Sequence, residues 1–210
     1  MSDERRFYEA PASGAQRSAP AALRNREPIA EVLTEWLPDR GLVLEVASGT
    51  GERAVYFAER FPHLDWQPTD LHREALSSIS AWRETAGLPN VREPQPLDAA
   101  ADTWPIDRAD AVLSINMVHI SPWTAALGLI AGAGRLLAPG APLILYGPWL
   151  KADIPTAPSN LAFDDDLRGR DPEWGLRRVE DFAETARESF DLADVRRMPA
   201  NNLMLLLRRI

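Results

Sequence analysis

The feature that most constrains the fold is an alternation of short apolar segments with segments of helical period. Strands are predicted at 42–47, 64–70, 91–97, 110–116 and 141–147. Helices are predicted at 27–38, 51–61, 73–87 and 122–139. Such an alternation is typical of βαβ units, which build a parallel sheet with helices on both faces.

The remaining third of the chain has a different pattern. Residues 148–177 contain many prolines and acids with little period, and we expect a substrate lid inserted into the domain. A helix at about 178–190 and two closing strands follow, and a short connection between strands makes a hairpin. The predicted fold class is α/β, a doubly wound, seven-stranded, mostly parallel sheet with a C-terminal antiparallel hairpin.

Length, charge and composition exclude several classes of protein. The 210 residues suffice for one domain, predicted at 24–210, after an arm at 1–23 that is disordered unless something holds it down. The net charge of −8 argues against nucleic acid or membrane partners. The lack of cysteine excludes disulfides and thiolate sites. With no long apolar segment, we expect a cytoplasmic protein.

The stretch LVLEVASGTGERAVYF (42–57) carries the strongest chemical signal. Gly49 and Gly51 allow a sharp turn and a close approach of the backbone to a ligand, at the start of a helix whose free N–H groups favour negative charge. A glycine turn that serves only packing is the alternative. Glu45, inside the strand, disfavours a pyrophosphate and suits a ligand with an ammonium or sulfonium group. It therefore counts against a nicotinamide-dependent oxidoreductase.

Two more acids follow the next strands. Asp70 ends the second strand, where a carboxylate accepts hydrogen bonds from a ribose diol. Asp98 follows the third strand and is placed for an adenine edge, with Leu97 and Ala99 beside the ring. Acids at three successive strands suit an adenosine that carries positive charge, and S-adenosylmethionine is such a molecule.

Motifs along residues 24 to 209 carry a family resemblance: RNREPI, SGTGERAVYFA, NMVHISPW, GAGRLL, YGPW, APSNLAFDDDLRGRDPEWGLR and MPANNLML. They resemble the DUF938 family, which includes the methyltransferase-like 26 proteins, among class I S-adenosylmethionine-dependent methyltransferases with their Rossmann-like fold. The resemblance implies a methyltransferase that acts on an unidentified small molecule. S-adenosyl-L-methionine would be the cofactor and S-adenosyl-L-homocysteine the product. A non-catalytic S-adenosylmethionine-binding module is the alternative.

The resemblance also implies a set of cofactor-binding residues. They lie before the first predicted helix, in the glycine turn, and after the second, third and fourth strands. The predicted residues are Arg24, Asn25, Glu45, Ala47, Ser48, Gly49, Gly51, Asp70, Leu71, Leu97, Asp98, Ala99, Asn116 and Met117. Arg24 is expected to reach the methionine carboxylate or the substrate.

Methyl transfer needs an in-line approach, and a general base helps only if the nucleophile carries a proton. His119 is the candidate base, with a pocket-lining role as the alternative. The scattered histidines have no metal-binding spacing, so we expect no metal. The absence of an Asn/Asp-Pro-Pro-aromatic motif argues against DNA or protein-glutamine methylation.

The predicted substrate pocket combines aromatic faces with a few polar groups, which is typical of small-molecule sites. Its residues are His119, Tyr146, Trp149, Asn160, Phe163, Trp174, Arg177, Asn201 and Asn202. Packing of the lid onto the sheet is an equal alternative for the two tryptophans. Arg24 or Arg177 beside these aromatics would suit a substrate with a carboxylate.

Overall fold

A computed structural model describes residues 16–210 of the chain. The strands are β1 (Gly41–Val46), β2 (Leu64–Asp70), β3 (Gln95–Pro96), β4 (Ala111–Ile115), β5 (Pro142–Gly147), β6 (Phe190–Met198) and β7 (Asn202–Arg209). The helices are α1 (Pro20–Trp36), α2 (Glu52–Arg60), α3 (Arg73–Ala86), α4 (Trp123–Leu136), α5 (Pro158–Arg170) and α6 (Val179–Ala186). A 3-10 turn, Pro199–Asn201, joins β6 to β7.

The strands form one seven-stranded sheet in the order β3-β2-β1-β4-β5-β7-β6. The first five strands pair in parallel, and β7 lies antiparallel between β5 and β6. The predicted fold class, with its C-terminal antiparallel hairpin, is confirmed. Among the described residues, no helix has both the length and the apolar character needed to cross a bilayer.

Two apolar layers cover the sheet because neighbouring residues of a strand point to opposite faces. On one face, Leu44 of β1 belongs to the cluster that contains Leu129 of α4. On the other face, Val43 joins Phe57 of α2 and Leu33 of α1. The central strands are therefore buried on both faces, as their unbroken apolar runs indicate.

Helix α1 begins at Pro20, seven residues before the predicted start at 27, and contains Pro28 in its interior. Two residues before it bind to α3: the Gln16 Nε2 group donates to Thr85 Oγ1 (2.7 Å), and the Arg17 backbone N–H donates to Ser78 Oγ (2.9 Å). The described part of the predicted arm thus lies against the domain. Residues 1–15 of that arm lie outside the described residues.

The predicted lid insertion contains a helix, α5, whose extent its sequence does not reveal. Helix α5 exposes most of its surface and buries only Asn160 and Leu167. Without an apolar stripe, residues 158–170 show no helical period. The acids at 164–166, which the sequence predicts in the first turn of a helix because they follow Ser159 and Asn160, lie in the middle of α5.

Candidate functional site

A cavity of about 640 Å³ opens at the carboxyl ends of the parallel strands. Its lining includes the residues that follow β1, β2, β4 and β5, and residues of α1 and α5. The chain order reverses between β1 and β4, and ligands of open α/β sheets bind in the crevice at this switch point. The volume lies within the range of roughly 300–1,000 Å³ that is usual for small-molecule sites.

Seventeen of the predicted site residues line this cavity. Those predicted for the cofactor are Arg24, Asn25, Ala47, Gly49, Asp70, Leu71, Leu97, Asp98, Ala99, Asn116 and Met117. Those predicted for the substrate are His119, Tyr146, Asn160, Phe163, Asn201 and Asn202. The structure brings residues far apart in sequence to one wall, and their roles toward a ligand stay predictions.

Six predicted residues lie away from the cavity wall: Glu45, Ser48, Gly51, Trp149, Trp174 and Arg177. Two of them shape the glycine turn from behind. The Oγ of Ser48 accepts a hydrogen bond from the Thr69 backbone N–H (3.2 Å). Gly51 has a φ of 84°, and a Cβ there would lie 2.6 Å from the Ile79 Cα, so this glycine is needed for packing on α3.

Glu45 lies in the core of the sheet. One of its carboxylate oxygens accepts a hydrogen bond from Trp66 Nε1 (2.7 Å), and its Oε1 has no partner among the described residues. Burial raises the pKa of Glu45 to about 7, against the opposing effects of Trp66 and Arg53. Glu45 therefore belongs to the interior of the sheet and not to the cavity wall, so any effect that it has on a ligand is electrostatic.

Two predicted substrate residues support the loops around the cavity. The Trp149 ring packs edge-on against Phe182, with 5.5 Å between centroids. The Arg177 guanidinium donates to the backbone carbonyls of Val118 (3.3 Å) and Ser121 (3.0 Å) and holds the loop that contains His119.

Asp70 both lines the cavity and holds the glycine turn. Its Oδ2 accepts from the Gly49 N–H and its Oδ1 from the His72 N–H, each at 2.9 Å. Burial raises the pKa of Asp70 although these hydrogen bonds act in the other direction. Leu71 beside it is 57% exposed, an unusual exposure for a leucine, and this leaves an apolar face at the cavity rim.

Backbone strain is concentrated at this cavity. Four described residues other than glycine have a positive φ: Ala47, Asn116, Ala200 and Asn201. All four line the cavity. Because such a conformation costs free energy, it is found preferentially at functional sites.

His119 is buried at the cavity wall, with its ring edge-on to Phe163 at 5.9 Å between centroids. Burial, with a smaller contribution from the positive charge of Arg177, lowers the pKa of His119 to about 3. The imidazole is therefore neutral at pH 7 and able to accept a proton. Gly147 makes room for it, since a Cβ at Gly147 would lie 3.1 Å from the His119 Nδ1.

Sequence reasoning missed several lining residues, of which Arg53 is the most consequential. Arg53 lies in the first turn of α2, and its charge lowers the pKa of both Glu45 and Tyr146. The sequence does indicate this residue, because Arg53 is a cation only two positions after Gly51, in the first turn of the helix that follows the glycine turn. Within residues 16–210, no group of three or more histidines and acids is arranged to hold a metal ion.

Solved methyltransferase structures share this architecture. An O-methyltransferase family 2 protein from Planctomyces limnophilus, in complex with apigenin, matches with a TM-score of 0.76 and 21% identity, over 90% of this chain and 58% of its own. An O-methyltransferase family protein from Burkholderia thailandensis matches with a TM-score of 0.71 and 19% identity, over 87% and 55%.

A third structure with the same fold is the SAH-bound form of CalO1, a methyltransferase in calicheamicin biosynthesis. It matches with a TM-score of 0.72 and 12% identity, over 90% of this chain and 54% of its own. The chain thus spans little more than half the length of these three neighbours. At the level of family, the model for DUF938, described as a protein of unknown function, matches residues 16–209. The chain therefore belongs to the DUF938 family.

Proposed function

We propose that the protein is an S-adenosylmethionine-dependent methyltransferase that acts on a small molecule. The observation that carries this proposal is the cavity at the β1/β4 switch point, where Asp70, the strained Ala47 and the exposed Leu71 meet. The fold neighbours are methyltransferases, and one of them was solved with S-adenosylhomocysteine.

The residues present fit the proposed cofactor. Asp70 would bind the ribose diol, with Leu71, Leu97 and Asp98 around the adenine. The Oδ1 of Asn25 is buried without a hydrogen-bond partner among the described residues, and it suits the ammonium group of the methionine end. The guanidinium groups of Arg24 and Arg53 suit the carboxylate.

When bound, S-adenosylmethionine supplies a methyl group already activated for transfer. The protein then has to orient the acceptor and remove a proton from it. Neutral His119 lies on the cavity wall and can accept this proton. Because its pKa is low, it accepts the proton only as the attacking atom becomes positively charged. We propose His119 as the general base.

Transfer of tritiated methyl from S-adenosylmethionine to a fractionated metabolite extract tests the activity. We expect labelled product together with S-adenosylhomocysteine, and a loss of about 10²–10⁴ in kcat for His119→Asn if the acceptor is protonated. Cofactor binding with no labelled product would favour the non-catalytic binding module. Binding of NADH in a fluorescence titration, without binding of S-adenosylhomocysteine, would instead favour the oxidoreductase.

A further inference from the structure

The cavity has two walls of different charge. Lining residues from α1, α2 and the ends of β2 and β3 include Arg24, Arg53, Asp70 and Asp98. The lining after β4 and β5, on α5 and in the turn before β7, which we call the distal wall, includes His119, Tyr146, Asn160, Phe163, Asn201 and Asn202. At neutral pH the described residues of the distal wall carry no charge, because His119 is neutral.

The charges nearest to the distal wall are engaged elsewhere. The Asp164 carboxylate on α5 pairs with Arg168 (3.0 Å) and accepts a hydrogen bond from the Leu176 N–H. Arg177 donates to backbone carbonyls behind the loop that contains His119 and is absent from the lining. The described residues of this wall therefore include no cation, and the positive charge that acts on it through Tyr146 is that of Arg53, which would pair with the carboxylate of the proposed cofactor.

Two asparagines determine which hydrogen bonds the distal wall can offer. The Asn160 Nδ2 group donates to the Asn201 carbonyl at 2.9 Å. The Asn202 Nδ2 group donates to the carbonyls of Pro199 (3.0 Å) and Ala200 (3.3 Å). Because a carbonyl oxygen only accepts, chemistry fixes the orientation of both amides.

Both amide oxygens remain for a ligand, together with the second N–H of Asn160, since an amide nitrogen carries two. Neither the Oδ1 of Asn160 nor that of Asn202 accepts a hydrogen bond from a described residue, and both residues line the cavity. Phe163 and the buried ring of Tyr146 supply apolar faces on the same wall. The distal wall is thus an aromatic surface with hydrogen-bond acceptors and no cation.

We propose that the methyl acceptor is an uncharged, hydroxylated ring compound whose hydroxyl groups donate to Asn160 and Asn202. A carboxylate placed there would lose its hydration and meet no cation in the distal wall, which costs free energy. This inference rests on the proposed methyltransferase function. In the transfer, one hydroxyl oxygen forms the new C–O bond as the S–C bond breaks, and the proton of that hydroxyl leaves its asparagine oxygen and passes to His119.

Calorimetry on the full chain saturated with S-adenosylhomocysteine tests this substrate class. The probes are catechol, resorcinol and hydroquinone, their dimethyl ethers, and salicylate and benzoate. A saturated ring polyol, myo-inositol, is included to show whether the cavity prefers hydroxyl groups on an aromatic ring or on a saturated ring. We expect at least one diphenol or the polyol to bind about tenfold more tightly than the ethers and carboxylates, because each lost hydrogen bond costs about 1 kcal/mol.

Asn160→Ala and Asn202→Ala should each weaken that binding by about 3- to 10-fold. Their affinity for S-adenosylhomocysteine and their melting temperatures show whether the fold is intact. Tighter binding of a carboxylate, equal binding of the ethers, or no binding of any hydroxylated probe at millimolar concentration would overturn the proposal. If S-adenosylhomocysteine itself does not bind, the result contradicts the proposed methyltransferase function and not the proposed substrate class alone.

Discussion

At the scale of single residues, the buried carboxyl group of Glu45 couples the protein's stability to pH. Its pKa of about 7 in the folded chain exceeds the ordinary value of 4.5. The folded state therefore holds this proton at pH values where the unfolded state has lost it. The stabilisation from Glu45 is fully present below about pH 4.5 and is lost as the pH rises through 7.

Glu45→Gln removes this dependence and keeps an acceptor for Trp66 Nε1. Between pH 5 and 8, we expect the free energy of unfolding of the wild type to fall by roughly 2–3 kcal/mol more than that of the variant. Urea unfolding of both proteins at the two pH values measures this difference, and the other titrating groups cancel in the comparison. Equal changes in the free energy of unfolding of the two proteins would show that the pKa of Glu45 is not raised in the folded protein.

Gly147 gives a second prediction at the residue scale. A Cβ at this position would lie 3.1 Å from both Nδ1 and Cε1 of His119, so Gly147→Ala displaces the imidazole by a few tenths of an ångström. We expect kcat to fall by about tenfold, since small misplacements of a reacting group are costly. Affinity for S-adenosylhomocysteine should not change.

Gly169→Ala in α5 is the matched control, because a Cβ there meets open space. It should leave kcat unchanged. Equal kcat values for Gly147→Ala and the wild type would contradict a catalytic role for His119.

At the scale of elements, one hydroxyl group joins the N-terminal residues to the glycine turn. The Ser78 Oγ on α3 accepts a hydrogen bond from the Arg17 N–H (2.9 Å) and donates one to the Thr50 carbonyl (2.8 Å). Ser78→Ala leaves both groups unpaired. Amide hydrogen exchange of residues 16–22 should become faster, and affinity for S-adenosylhomocysteine should fall by about 3- to 10-fold.

Ser77→Ala is the control for this change, since the exposed Ser77 hydroxyl bonds only within α3, to the Arg73 carbonyl. Identical exchange rates in the two variants would mean that the N-terminal residues are held by other contacts.

Arg177 gives the second prediction at the element scale. Arg177→Met removes hydrogen bonds to the carbonyls of Val118 and Ser121, and we expect a loss of roughly 2–3 kcal/mol in the free energy of unfolding, since charged hydrogen bonds are involved. Amide hydrogen exchange at residues 117–121 should become faster. The fold-change in kcat should be larger than the fold-change in the KM for the cofactor. Arg177→Lys keeps the charge and should recover part of the loss. Wild-type kcat in Arg177→Met would contradict this positioning role.

The sequence predicted the structure best where a short run of residues determines its own secondary structure. The apolar runs of β1, β4 and β5 predicted buried parallel strands. Asp70, at the end of β2, was predicted as a wall residue because the carboxyl ends of such strands lie at one edge of the sheet. The direction of Glu45 could not be predicted. A strand buried on both faces shows no alternation that would distinguish its two sides.

The errors in the helices have equally specific causes. Pro28 matched the first turn of a helix, whereas the continuing burial of Ala22 and Ile29 extends α1 to both sides of it. Helix α5 has no apolar stripe to report its period. Arg177 has the charge and aromatic neighbours of a substrate contact, and only the tertiary structure shows that it binds backbone carbonyls.

At the scale of the whole molecule, the sheet order brings an acidic and cationic wall opposite an uncharged one across a single cavity. Under the proposed function, the charged wall would bind most of the cofactor, and the distal wall, apart from the predicted cofactor residues Asn116 and Met117, would bind the acceptor. Both assignments depend on the claim that the cavity binds S-adenosylmethionine.

Titration calorimetry with S-adenosyl-L-homocysteine tests that claim most directly, on the wild type, Asp70→Ala and Asp65→Ala. Asp65 is the control because it lies on the same strand, exposed and paired with Arg92. We predict one binding site in the wild type, unchanged affinity in Asp65→Ala, and affinity weakened by about tenfold or more in Asp70→Ala through loss of charged hydrogen bonds. No binding by the folded wild type at millimolar ligand, or equal affinity in Asp70→Ala, would contradict the account.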